Sequence, residues 1–173
     1  LIQIYEKLIN QDAKHHLQAI RSAGQLYALM LARNTDEAWA PLDKPLKDLD
    51  RIQGAPSYLL MLYLLVRREA LGIDVAQLEE IARLLVCFFV RRNLTDTPPT
   101  RDLTRLFMAT IDKVAEQSGD AVVKTIRDEL LAVSASDESF RNKLEGAIYE
   151  ENAGVTRFVL CALAEQSMTK ETW

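Results

Sequence analysis

Apolar residues recur at helical spacing along most of this chain, and no segment shows the two-residue alternation of a strand. Two segments are strongly apolar, residues 57–71 and 75–92, and the second closes with the pair Arg91-Arg92. The first is apolar nearly all round, which predicts a central, buried helix. We therefore predict an all-α fold, a compact multi-helix bundle of about seven to nine helices without a sheet, with these two segments at its centre.

The N-terminal part predicts a short helix that is interrupted or bent at residues 10–12, and then a longer helix that runs to about Arg33. The first short face consists of Leu1, Ile4, Tyr5 and Leu8. The longer helix has a core-facing stripe at helical spacing: Leu17, Ile20, Gly24, Tyr27 and Leu31. Gly24 would allow a neighbouring helix to approach closely.

Residues 34–45 predict a loop with Trp39 against the core, followed by a short helix that stops at residues 54–56. Helix N-caps are predicted at residues whose side chains accept a hydrogen bond from the first turn: Ser57, Asp74, Thr97 or Thr100, and Asn152. A further helix is predicted to open at residues 136–138, where acidic residues in the first turn complement the helix dipole. The two C-terminal segments predict helices with apolar residues inside: Phe140, Leu144 and Ile148, then Phe158, Ala162 and Leu163.

The chain has 173 residues, of which 49% are hydrophobic, enough for a substantial core. We expect one helical domain over residues 1–173, with residues 94–100 as the place where it could subdivide. It begins without Met and ends in a polar stretch, so we expect it to be part of a longer protein. The net charge of −4 argues against a dedicated DNA-binding module but leaves room for a local basic patch.

The two cysteines, Cys87 and Cys161, lie in apolar runs, so we expect buried, free thiols and a cytoplasmic location. The longest unbroken apolar run, residues 58–66, is too short to cross a bilayer. His15 and His16 are adjacent, and neighbouring positions on a helix cannot both bind one metal ion. We predict solvated histidines, no metal site and no cofactor in this fragment.

No catalytic signature occurs in the chain, so we assign no catalytic residue and predict that this fragment is not an enzyme. The one group with a candidate task is a set of four arginines around a turn with two prolines: Arg91, Arg92, Arg101 and Arg105. Together they could bind a nucleic-acid backbone or an acidic protein surface. The alternative is that they pair with local carboxylates such as Asp96 and Asp102.

Three stretches resemble one family of restriction proteins. Residues 46–66, LKDLDRIQGAPSYLLMLYLLV, resemble its short helix followed by an apolar helix. Residues 78–114, LEEIARLLVCFFVRRNLTDTPPTRDLTRLFMATIDKV, are similar to its next two helices. Residues 140–166, FRNKLEGAIYEENAGVTRFVLCALAEQ, resemble the segment before its nuclease, with Arg157-Phe158 opening a helix that ends near Glu165. The family is the GmrSD-type modification-dependent restriction endonucleases and the RloF-like proteins related to them.

The resemblance spans about Tyr27 to Glu165 and implies the helical middle region of such a protein. That region links an N-terminal ParB-like, nucleotide-handling domain to a C-terminal HNH nuclease. The full-length protein would be a nucleotide-dependent HNH endonuclease that defends against phage or other foreign DNA. Neither the Asp-Gly-Gln-Gln-Arg motif nor the His-x-x-Pro motif of the family occurs here, so no catalytic residue carries over.

Two functions therefore stand as expectations. In the first, the domain serves a restriction-type protein, contacts the DNA backbone within the full-length protein, or forms a homodimer, and has no membrane partner. In the second, it is a free-standing helical protein–protein interaction domain unrelated to DNA.

Overall fold

The computed structural model describes residues 2–31 and 37–167, leaving aside the side chains of residues 2–5, 7–11 and 166. Within these residues the protein is all-helical and has no strand, which confirms the predicted fold class. In chain order, the nine helices of the described part are α1 (Ile2–Met30), α2 (Ala40–Arg51), α3 (Tyr58–Arg67), α4 (Val75–Thr95), α5 (Thr100–Val114), α6 (Asp120–Val133), α7 (Asp137–Leu144), α8 (Ile148–Glu151) and α9 (Ala153–Ser167). Single 3-10 turns cover Glu37–Trp39 and Ala55–Ser57.

The core is built around α4, which packs against α2 and α6 and buries seven of its residues: Leu78, Ile81, Ala82, Leu85, Phe88, Phe89 and Leu94. Phe89 stacks on Phe107 of α5 with ring centroids 6.2 Å apart, so the helices on both sides of the proline turn share one core. Helix α3 adds four buried residues: Leu60, Met61, Leu64 and Leu65. The two apolar segments therefore lie at the centre, as predicted.

The loop predicted over residues 34–45 is wrong in its second half, because α2 begins at Ala40. Pro41 occupies the first turn, where a missing N–H removes no helical hydrogen bond. Pro45 lies inside the helix, and its lost bond is offset by burial of three leucines: Leu42, Leu46 and Leu49. Trp39 packs against the core as expected. Residues 34–36, and the predicted helix end near Arg33, lie outside the described residues.

Helix α1 bends at Asp12, where the backbone leaves helical geometry (φ −158°, ψ 79°). The Asp12 carboxylate accepts a hydrogen bond of 3.0 Å from the His15 backbone N–H, so it caps the second half of the helix. The predicted interruption at residues 10–12 is confirmed. The face predicted from Leu1, Ile4, Tyr5 and Leu8 lies outside the described side chains.

The predicted caps divide into two groups. Asp74 accepts from the Gln77 backbone while the Gln77 side chain accepts from the Asp74 N–H, a complete capping box. Asn152 also accepts from the third residue of its helix. Ser136, where a helix was predicted to open, caps α7 in the same way. Ser57 is wrong as a cap, because its buried hydroxyl donates to the Gly54 carbonyl instead.

Neither threonine caps α5, because the residue before that helix is Pro99 and no side chain makes a capping hydrogen bond there. Thr97 donates to the Thr95 carbonyl, and the Thr100 hydroxyl accepts from Arg92.

Several residues predicted to be inside are on the surface: Cys87, Cys161, Leu144 and Leu163. Apolar neighbours in the sequence raised these expectations. Cys87 and the two residues of α9 lie on helices whose other face meets the core, and α7, which carries Leu144, has no buried residue. On α4, for example, Phe88 and Phe89 are buried while Cys87 points outward. The cytoplasmic location was inferred from buried thiols, and since both thiols are exposed it stays a prediction.

Candidate functional site

The predicted arginine site begins with Arg91, near the end of α4, whose guanidinium group faces α7. It donates to the Ala135 backbone carbonyl at 2.8 Å and to the Asp137 carboxylate at 2.7 Å. It also lies over the Phe140 ring, 4.8 Å from its centroid. Arg91 therefore fastens α4 to the start of α7.

Arg92 faces the proline turn. Its guanidinium group donates to the Pro98 carbonyl at 3.1 Å, to the Asn93 side chain at 2.9 Å and to the Thr100 hydroxyl at 2.5 Å. The Thr97–Pro98 peptide bond in this turn is cis. Through these three hydrogen bonds Arg92 stabilises the turn.

The other two arginines are exposed on α5. Arg105 forms an ion pair of 2.9 Å with Asp102, as the local-pairing alternative predicted, and Arg101 has no hydrogen-bond or ion-pair partner among the described residues. Arg91 and Arg92 are thus held by other segments of the chain, while Arg101 and the paired Arg105 lie on the surface.

A second surface was predicted from the sequence but assigned to the wrong environment. The stripe of α1 faces solvent: Leu17 is 66% exposed and Ile20 is 63% exposed, and Tyr27 and Leu31 are also exposed. Helix α1 packs on α3 through another face, which carries Leu26, Leu29 and Met30. None of residues 12–28 is fully buried. An apolar stripe indicates only that one face of a helix is suited to packing against another element, and that element can belong to a different chain.

The exposed stripe has the spacing of a coiled-coil seam. Its members alternate in steps of four and three residues: Ala13, Leu17, Ile20, Gly24, Tyr27 and Leu31. These are the d and a positions of successive heptads, which form the narrow contact face of a two-stranded coiled coil. We call this set the α1 seam. The pattern stops at the bend at Asp12, since the preceding d position is Glu6.

One flank of the α1 seam is basic. Positions 13–31 contain Lys14 and Arg21 and no Asp or Glu. Both cations occupy e positions and both are exposed. At the far end, Tyr27 packs edge-on against Tyr58, which donates to the Asp50 carboxylate at 3.4 Å. The basic flank therefore belongs to the N-terminal half of the seam.

Gly24 leaves a gap in the middle of the α1 seam. A Cβ built there would meet no atom of the described chain within 4 Å. The close helix approach that this glycine predicted is not made by any described element. A partner side chain from outside would have room to enter.

The described residues also form a cleft of about 440 Å³ between α4, α6 and the segment before α7. Leu84, Phe88 and Leu131 give it an apolar wall. Its two guanidinium groups are already paired, Arg91 with Asp137 and Arg127 with Glu80. The cleft thus offers no free charge to orient a ligand.

Two electrostatic features are structural. The Lys44 ammonium donates to the Glu165 carboxylate at 2.7 Å and joins α2 to α9 on the surface. This hydrogen bond is the main reason why the pKa of Lys44 is raised and that of Glu165 lowered. Burial raises the pKa of Tyr58 to about 12, and the Asp50 carboxylate adds to the effect.

No group of three or more His, Cys, Asp and Glu side chains converges as a metal site among the described residues. His15 and His16 place their ring centroids 5.7 Å apart, edge to face. Within the same part of the chain, every helix is too short or too polar to span a bilayer.

Comparison with known proteins adds no relative: no family model, no curated protein and no solved structure matches this chain.

Proposed function

We propose that this chain is a non-catalytic helical domain that binds a helix of another protein along the α1 seam. One observation carries the proposal: no residue of α1 between 12 and 25 is buried, and the large apolar side chains of this stretch, Leu17 and Ile20, lie on the face with coiled-coil spacing. The proposal agrees with the interaction-domain alternative derived from the sequence.

The energetics favour a helical partner. Burying a Leu or Ile side chain stabilises by about 1.5–3 kcal/mol, so covering Leu17 and Ile20 is worth several kcal/mol before ordering costs. Residues 12–25 of α1 also gain little from packing inside the domain, and an isolated helix of about 14 residues is marginal in water. A second helix on the seam would stabilise both chains.

Binding of a designed peptide tests this function. The peptide is an amphipathic helix of about three heptads with Ile at a, Leu at d and Gln at e and g, so that no charge contributes. Fluorescence anisotropy should show saturable binding to the full 173-residue chain. Ile20→Glu should abolish that binding, because it places a charge in the contact face.

Leu131→Glu is the matched control, since Leu131 is 65% exposed on α6. It should bind as the wild type does. Equal binding by all three proteins, or no binding by any, would contradict the proposed use of the seam. Dimers of the chain alone that Ile20→Glu dissociates would retain the seam as a contact surface and make the partner a second copy.

As a second candidate function we propose contact with a nucleic-acid backbone, within the restriction-type role that the resemblance implies. The exposure of Arg101 and Arg105 on one helix supports it. Engagement of Arg91 and Arg92 inside the chain reduces the expected contact to about two phosphates. Anisotropy with a labelled duplex at two salt concentrations tests it, and Arg101→Ala with Arg105→Ala should weaken binding and flatten the salt slope. Identical curves for both proteins would remove this candidate.

A further inference from the structure

We infer that the partner of the α1 seam is an amphipathic helix whose seam is flanked by Asp or Glu, from a different protein and not from a second copy of this chain. This inference rests on the proposed function and adds the chemistry of the partner. Three observations carry it: the charge beside the seam, the consequence of pairing the seam with itself, and the gap at Gly24.

The charge beside the seam has one sign. Lys14 and Arg21 occupy successive e positions, while the g positions His16 and Ala23 carry no carboxylate and the third, Met30, is buried in the domain core. In coiled coils the e and g residues face those of the partner and select it by charge. A partner with carboxylates at e and g would meet both cations, and a basic partner would be repelled.

Pairing of α1 with a second α1 lacks this complementarity. In a parallel pair, each e residue faces a g residue of the other copy, and no g residue is a carboxylate. In an antiparallel pair, e residues face e residues, so Lys14 and Arg21 would meet like charges. Neither orientation forms an attractive ion pair along the seam.

Gly24 argues in the same direction. In a parallel pair of identical helices, each residue at heptad position a faces the same residue of the other copy. Two Gly24 residues would therefore meet and leave a cavity in the interface. A different helix can place a large side chain opposite Gly24, where a Cβ would meet no described atom within 4 Å apart from the backbone of its own helix. The basic flank and the gap therefore both favour an unlike partner.

The test uses two further peptides that, like the neutral peptide described above, carry Ile at a positions and Leu at d positions. The acidic peptide carries Glu at e and g, and the basic peptide carries Lys there. The full chain should bind the acidic peptide about tenfold more tightly than the basic one, with the difference shrinking at high salt. Lys14→Glu with Arg21→Glu should reverse the preference.

Lys47→Glu with Lys124→Glu is the control for net charge, because it makes the same charge change at exposed positions on α2 and α6. It should keep the preference for the acidic peptide. Equal affinity for the acidic and basic peptides would overturn the inference and leave the proposed function standing if the neutral peptide binds. Stable dimers of the chain alone, dissociated by Ile20→Glu, would also overturn it. Failure of all three peptides to bind would overturn both.

Discussion

Arg91 and Asp137 form an ion pair of 2.7 Å that ties the end of α4 to the first turn of α7. The same guanidinium group bonds to the Ala135 carbonyl and covers the Phe140 ring. The arginine is 27% exposed and the aspartate 87%, so the carboxylate contributes less than the carbonyl and the ring do. The group therefore holds α7 in place.

Arg91→Ala should lower the free energy of unfolding by about 1–3 kcal/mol, because it leaves the Ala135 carbonyl without its donor and removes the cation–π contact. Arg101→Ala should change it by less than about 0.5 kcal/mol, since Arg101 is exposed without a described partner. Urea denaturation of both variants measures the difference. Equal midpoints would show that Arg91 has no structural role.

The arginines show how far the sequence could be interpreted. Their positions in the sequence predicted a cluster around the proline turn, and pairing with local carboxylates was one of the two hypotheses for its role. The partners of Arg91 were not predictable, because Ala135 and Asp137 follow it by more than 40 residues and depend on how α7 packs. A hydrogen bond to a backbone carbonyl cannot be predicted from residue type, because every residue has a backbone carbonyl.

The α1 seam shows the converse case. Its spacing was read correctly as one face of a helix, and its assignment to the core was wrong. The absence of acidic residues beside the stripe, with Lys14 and Arg21 next to it, was a signal available in the sequence. The packing of α3 on the opposite side of α1 was not, because several apolar residues occur on that side too: Leu26, Leu29 and Met30.

Leu85→Ala should destabilise the domain by about 2–5 kcal/mol, because Leu85 is fully buried on α4 and its loss leaves a cavity. Leu62, predicted to be equally buried, is only partly so, and Leu62→Ala should cost about 1–2 kcal/mol. Glu79→Ala removes only a surface pair with Arg83 and should stay within about 0.5 kcal/mol. An unfolding midpoint for Leu85→Ala as mild as that for Glu79→Ala would contradict the central position of α4.

Two glycines should respond oppositely to alanine. At Gly54 a Cβ would overlap Cδ1 of buried Leu49 and lie 2.8 Å from the Leu49 carbonyl oxygen. We expect Gly54→Ala to destabilise by about 1–3 kcal/mol through this overlap. Gly24→Ala adds a methyl group in open space within a helix and should stabilise by up to about 1 kcal/mol. Thermal unfolding of the two variants should shift in opposite directions, and a loss of stability for Gly24→Ala would show that another element already covers this position.

Tyr58 should make stability depend on pH at the alkaline end. Its pKa is about 12 in the folded domain against about 10 in an unfolded chain. The folded state thus keeps a proton that the unfolded state loses. The stabilising contribution is complete below about pH 10 and is lost as the pH rises toward about 12. In urea denaturation, the free energy of unfolding of Tyr58→Phe should fall less steeply over this pH interval than that of the wild type. Parallel pH profiles for the two proteins would contradict the assignment of the raised pKa to Tyr58.

Hydrogen exchange of the full chain with and without the acidic peptide tests the central claim most directly, because it locates the bound surface along the sequence. The account predicts slower exchange of backbone amides in residues 13–31 at saturating peptide, with no change in α6 or α9. Protection in residues 84–91 and 127–137, which line the cleft beside α7, would contradict it. So would unchanged exchange throughout α1 at a peptide concentration that saturates the anisotropy signal.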